Sequence, residues 1–278
     1  MIALSDIEQL IATVLMSAYI KGERPLSLVL CSRVEAGKSR IVMRFASNPG
    51  IELIGDMTAW GIAKHLGRKI QDGKIRHLIC PEFSIATSHK HETVAALDAF
   101  LCGLIEEGVG KIISAPYKQV EVTAPYGCGV ILCISKQDLE KKRTHWFQVG
   151  LMSRLIPVSY SYSAATVTKI MHYIKAREYR DEQGIKLEFP VVPQEVDLPS
   201  YIANKIEATL VPIVLKVNDP KGELLESDKL YGFRWQRHLQ RLAMANTLLA
   251  GRDIVTIEDY EQLAHLTEYM NVNGTRVI

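Results

Sequence analysis

The segment Ser32-Arg33-Val34-Glu35-Ala36-Gly37-Lys38-Ser39 has the residue types and spacing to hold a phosphate. It meets the pattern G-x-x-x-x-G-K-[ST] at every fixed position except the first, where Ser32 replaces glycine. In such a loop, backbone N–H groups face the phosphates of a nucleotide. Lys38 would reach the β- and γ-phosphates, and the Ser39 hydroxyl would hold Mg²⁺. An ordinary strand-turn-helix corner is the alternative reading of the same residues.

Nucleotide chemistry needs a carboxylate near Mg²⁺, on a strand beside the loop. Glu82 is the best placed, after the apolar run Ile75 to Cys80. Pro81 precedes it, so only one acid is present. Either the metal side or the attacking water therefore lacks a dedicated carboxylate, unless Glu82 is only a solvated strand end. Ser135 and Lys136 end a second apolar run, Gly129 to Ile134, where either could sense a γ-phosphate or form a plain strand exit. Ser135-Lys136-Gln137-Asp138 approaches the guanine reader N-K-x-D but has serine for asparagine, so ATP is the expected nucleotide. Arg154 lies in the apolar setting Leu151 to Pro157. A guanidinium there needs an anion: a phosphate on a neighbouring subunit, or an internal carboxylate.

These residues need elements to position them. The run Leu26 to Cys31 reads as a strand that delivers the loop, and Lys38 to Ala46 as the helix after it. Residues 5–20 read as a helix capped by Ser5. Asn48-Pro49-Gly50 is a turn, followed by a short strand at 51–54 and a helix to about Arg68, capped by Asp56 or Thr58. Ile75 to Cys80 is another strand. Thr93 to Glu107 carries Val94, Leu97, Leu101 and Leu104 on one helical face. Lys111 to Val122 alternates as a strand pair around Ala115-Pro116-Tyr117. Leu155 to Tyr162 reads as the last strand, and 164–180 as a helix rich in basic groups. A Pro-containing connector fills 184–199. Helices at 200–217, 228–250 and 256–270 complete the chain, with Thr256 and Asp259 spaced as a capping box. Apolar strands alternating with helices predict a parallel α/β sheet.

Composition excludes little. The 278 residues are 47% hydrophobic and 23% charged, with a net charge of +2. Nothing global demands nucleic acid or membrane, so any DNA contact must rest on local patches. Cys31, Cys80, Cys102, Cys128 and Cys133 form no C-x-x-C pair and read as buried free thiols. The two-residue spacing of His89 and His91 sends the rings to different sides of a helix, which does not suit a metal. The apolar stretch Leu10 to Ile20 is too short to span a bilayer and follows Asp6 and Glu8, so no signal sequence is expected and the location expected is cytoplasmic.

The order of parts, with phosphate loop, acid-ending strand, hairpin, polar-ending strand, Ser153-Arg154-Leu155 and helical tail, resembles an AAA+ P-loop ATPase over about residues 5–270. The tail resembles the lid of the MCM and MoxR-like branches. Phe233-Arg234 opens a helix, Arg241-Leu242-Ala243-Met244-Ala245 continues it, and Val255-Thr256-Ile257-Glu258-Asp259 follows. The resemblance implies that Lys38 and Ser39 bind phosphate and Mg²⁺, and that Glu82 is the acid of the second nucleotide motif. It implies that Ser135 stands at the first sensor, that Arg154 is an arginine finger, and that Arg234 is the second sensor. It also implies a homo-oligomeric ring, such as a hexamer, with nucleotide between subunits. In the MCM branch the corresponding hairpin touches DNA. Lys111 and Lys118 would then contact phosphates and Tyr117 would stack on a base, unless the hairpin is merely solvated.

The expected architecture is a three-layer αβα nucleotide-binding domain (1–180), a connector (181–199) and a helical lid (200–278). The leading expectation is an oligomeric ATPase that couples ATP turnover to work on DNA or a DNA-bound partner. The alternatives are a nucleotide-gated scaffold with little hydrolysis, and a MoxR-like chaperone that remodels protein.

Overall fold

The structure, a computed structural model, describes residues 3–114, 118–180, 182–218, 230–273 and 276–278. Five strands form one parallel sheet: β1 (Leu28–Ser32), β2 (Ile51–Leu53), β3 (His77–Cys80), β6 (Gly129–Ser135) and β7 (Ile156–Ser159). Their order is β2-β3-β6-β1-β7. Strand β1 lies inside the sheet, between β6 and β7, and all five of its residues are buried, as a strand covered on both faces requires. Its register is Leu28 with Ile131 through Ser32 with Ser135 on one side, and Leu28 with Ile156 through Cys31 with Ser159 on the other.

Alternation along the strands divides the core in two. Leu28, Leu30, Ile79, Ile131, Cys133, Ile156 and Val158 face one apolar cluster, while Val29, Cys31, Leu78, Cys80, Val130 and Leu132 face the other. The first cluster is closed by α1 (Ser5–Met16) and α2 (Lys38–Met43), together with the C-terminal helices. The second is closed by α3 (Ala59–His65), α4 (Gly67–Gln71), α5 (Phe83–Ala86), α6 (His91–Cys102) and α7 (Lys136–Gln148). Thus an α/β sandwich encloses the sheet, with helices on each face. The expected buried face Val94, Leu97, Leu101 and Leu104 is buried against it.

Helix α6 ends in a π-turn, Gly103–Glu107, which leads through Gly108 into an antiparallel pair outside the main sheet: β4 (Val109–Ser114) and β5 (Lys118–Tyr126). Gly108 has φ of +89°, a backbone state that glycine adopts without steric cost. After β7 come α8 (Ala164–Lys175), the connector, α9 (Ser200–Lys205), α10 (Val211–Asn218), α11 (Phe233–Leu249) and α12 (Ile257–Thr267). A π-turn, Ile206–Leu210, joins α9 to α10. The connector lies on the first face, where Phe189 stacks on Tyr19 with ring centroids 4.6 Å apart.

Helix α11 packs against α1. Gln9 Nε2 donates to Asn246 Oδ1 at 3.0 Å, and Asn246 Nδ2 in turn donates to Gln262 Oε1 at 2.7 Å. One buried cluster therefore runs from Leu4 and Leu10 through Leu30 to Leu242 and Met270. The capping box is present at Thr256 and Asp259, with Thr256 N donating to Asp259 Oδ2 at 2.9 Å. Thr58, not Asp56, caps α3 by accepting from Gly61 N. The expected Ser5 cap is corrected: Ser5 is already helical, and Leu4 stands at the cap with no side-chain hydrogen bond. Leu4 is fully buried, so apolar packing anchors this helix start. Among the described residues no helix is long and apolar enough to cross a membrane.

Candidate nucleotide site

The loop after β1 is shaped by its backbone. Glu35 and Gly37 both adopt left-handed conformations, with φ of +64° and +82°. Gly37 then stands at the start of α2 and accepts Ile41 N at 2.9 Å. Two phenols fix the loop from below. Tyr160 and Tyr162, just past β7, both donate to the Ala36 carbonyl, at 2.7 and 2.8 Å. With that carbonyl held inward, the tip Arg33, Val34 and Glu35 is exposed. Lys38 Nζ reaches back to the Arg33 carbonyl at 2.8 Å and the Ser32 carbonyl at 3.2 Å. Burial pushes its ammonium down from the usual lysine value, and this is the dominant influence on it. Ser32 itself is buried and pairs with Ser135 in the sheet. Its side chain lies in the strand and leaves the loop tip open.

The second strand end lies beside the loop. Ser39 Oγ donates to the Pro81 carbonyl at 2.9 Å, and Glu82 follows immediately. Glu82 is exposed, at the start of α5. The backbone contact at Pro81 thus sets Glu82 one residue from Ser39's partner. Ser135 has local work: its Oγ accepts Asp138 N at 3.1 Å and donates to Asp138 Oδ2 at 2.8 Å, capping α7. Lys136 Nζ turns to the Asn273 carbonyl at 3.0 Å. Sequence reasoning missed a pair at this edge. Asp56, in the loop after β2, contacts His89 Nε2 through both carboxylate oxygens at 2.9 Å. The two residues are 33 positions apart, and each has a common local reading as a cap or a surface group. No spacing signal joined them.

Arg154 and Arg234 lie at the other edge of the sheet. Both line a small cavity of about 20 Å³ with Pro25, Leu26 and Ser27, which precede β1. From Ser27 to Ser32 the extended chain covers about 16 Å. Arg154 Nε is 2.9 Å from Glu106 Oε2, its Nη2 is 2.5 Å from Glu107 Oε1, and its Nη1 donates to the Gly150 carbonyl at 2.9 Å. Arg234 donates through Nε to both oxygens of Glu106, at 3.1 and 2.9 Å, and through Nη1 to Ser153 Oγ at 3.2 Å. Arg234 Nη2 also lies 2.9 Å from Glu106. The internal-carboxylate reading of Arg154 thus holds within one chain. The structure does not bring Arg234 to the loop of its own chain; it brings Arg234 to Arg154. The reason is the docking of α11 on α1, which carries the start of α11 to the N-terminal ends of the strands.

Burial raises the Glu106 carboxyl, but the hydrogen bond and charge of Arg234 and the charge of Arg154 together leave it below the ordinary value. Burial pushes the thiols of Cys31 and Cys80, near the loop, up to about 11, so both stay protonated at neutral pH. The Lys111 and Lys118 side chains, and Tyr117 altogether, lie outside the described residues. Among those described, no group of three or more His, Cys, Asp or Glu residues is gathered to hold a metal.

No known family model and no curated protein matches this chain. What its geometry establishes is an α/β protein with a parallel five-stranded sheet and C-terminal helices, whose glycine-lysine-serine loop sits at the carboxyl end of a central strand.

Proposed function

We propose that the chain binds ATP with Mg²⁺ at Ser32–Ser39 and acts as an oligomeric AAA+-like ATPase that works on DNA or a DNA-bound partner. One observation carries the reading: the Gly37-Lys38-Ser39 loop follows a buried central strand and is joined by Ser39 to the strand end that bears Glu82. Lys38 would exchange its two loop carbonyls for β/γ-phosphate oxygens, a stronger, charge-assisted partner. Ser39 and Glu82 would hold Mg²⁺, which neutralises charge on the phosphates when bound. Arg154 and Arg234, at the opposite edge, would meet a nucleotide only from a neighbouring copy, as a ring supplies.

Turnover of wild type, Lys38→Ala and Glu82→Gln tests this reading. Phosphate release lost in both variants, with binding kept in Glu82→Gln, is the expected pattern. Absence of nucleotide binding to the wild type would overturn it.

A second reading, a nucleotide-gated scaffold with little hydrolysis, is favoured by two observations. Ser135 is occupied as a helix cap, and Pro81 fills the place of a first acid. Nucleotide binding and assembly without phosphate release would support this reading. A protein-remodelling chaperone would show turnover that DNA neither stimulates nor binds to in a salt-dependent way.

A further inference from the structure

We infer that Glu106 is a latch: it occupies the fork of Arg234 in the isolated chain and competes with the neighbouring copy's nucleotide for it. This rests on the ATP reading above. Phosphate is best held by the fork of an arginine, its Nε and Nη2 together. In Arg234 that fork is filled by Glu106. Arg154 Nε lies within ion-pair distance of the same Glu106 oxygen but does not hydrogen-bond to it, and the terminal nitrogens of Arg154 are taken by Glu107 and Gly150. One carboxylate therefore imitates, within the chain, an anion that would otherwise come from outside.

The setting favours exchange. Side-chain exposure is 13% for Arg154, 28% for Glu106 and 39% for Arg234, so the triad lies at the surface with Arg234 outermost. Arg237 lines the same cavity, and no hydrogen bond or ion pair to it is seen among the described residues. Arg241 is paired with Glu23 at 2.6 Å. Counting Arg154, Arg234, Arg237 and Arg241 against Glu106, Glu107 and Glu23 leaves an excess positive charge, which attracts a polyphosphate. A triphosphate carries more charge than one carboxylate and can displace it. Glu106 also sits in the π-turn that leads into β4, so its release occurs at the root of the hairpin.

The test measures ATP-Mg²⁺-dependent assembly by light scattering, and turnover against ATP concentration, for full-length wild type, Glu106→Gln and Glu107→Gln. Glu106→Gln should lower the ATP concentration for half-maximal assembly by about fivefold. Glu107→Gln, which leaves the Arg234 fork covered, should shift it much less. The Glu106→Gln effect should vanish in an Arg234→Gln background, because the latch acts through that fork. Glu106→Asp, which keeps the charge, should restore most of the wild-type midpoint and controls for a folding defect. An unchanged midpoint in Glu106→Gln, or an equal shift with and without Arg234, overturns the latch and leaves the ATP reading intact. A wild type that binds no ATP overturns both.

Discussion

Ser39 and Pro81 are joined by a 2.9 Å hydrogen bond from the serine hydroxyl to the proline carbonyl. That bond ties the start of α2 to the end of β3 and puts Glu82 next to the loop. Ser39→Ala should cost only about 1 kcal/mol of stability, the size of one ordinary hydrogen bond. Its effect on Mg²⁺-dependent nucleotide affinity should be much larger, at least about tenfold, because on the proposed reading the hydroxyl would also hold the cation. Titration with a fluorescent ATP analogue, with and without Mg²⁺, beside a thermal melt, separates the two. Equal affinity in wild type and variant would remove Ser39 from the site.

The distance between the loop and the two arginines makes a prediction about mixtures. Lys38→Ala and Arg154→Ala should each be inactive alone. Mixed in equal amounts, they should recover part of the wild-type turnover, because some interfaces then pair an intact loop with an intact arginine. Arg154→Ala should also lower stability by about 2 kcal/mol, since it takes a partner from Glu106 and Glu107. A mixture as inactive as its parts would rule out action across an interface.

Two buried imidazoles make the fold acid-sensitive. His77 Nε2 lies 3.1 Å from the Leu26 carbonyl and His238 Nε2 lies 3.2 Å from the Ser153 carbonyl; burial pushes both rings down to about 4. In the unfolded chain each takes up its proton near pH 6.5. From about pH 6.5 down to 4 the unfolded state therefore binds protons that the folded state refuses. Stability is full above that window and falls as pH drops through it, by roughly 3 kcal/mol per histidine at the lower end. Denaturant unfolding from pH 7.5 to 4 measures the slope. His77→Gln should remove about half of it, whatever it does to stability at pH 7.5.

Gly129 opposes His77 in the sheet and leaves room for its ring. A Cβ at position 129 would lie 2.3 Å from His77 Cδ2 and Nε2, and 2.5 Å from the Leu26 carbonyl oxygen. The ring cannot swing away without losing its hydrogen bond to that carbonyl. Gly129→Ala should therefore destabilise by about 3 kcal/mol, at the upper end for overpacking. A melting temperature equal to wild type would show that β3 and β6 separate more easily than their register suggests.

What was readable in the sequence follows physical locality. The strands β1, β3 and β6 are continuous apolar runs, and both faces of each are covered, so composition alone gave them away. The loop after β1 is local too, because its glycine, lysine and serine are adjacent. Thr256 and Asp259 lie three residues apart, within one helical turn. By contrast, the position of Arg234 depends on how α11 settles on α1, more than two hundred residues earlier. The Glu106 fork joins partners 48 and 128 positions away. Asp56 and His89 meet only because β2 and β3 are neighbours. Ser135 was legible as a strand end, but its use as a cap depends on whether its side chain turns outward or toward Asp138.

The contact between α1 and α11 has a consequence for how the chain is made. Helix α1 is translated more than two hundred residues before α11, one of the walls that buries its Leu10, Ile11, Val14 and Leu15. Until then this face must rest on the sheet alone or on a chaperone, and a transcript cut short before Phe233 would yield a chain with that patch uncovered. Arrival of α11, rather than formation of the loop after β1, is thus the step that closes this apolar face.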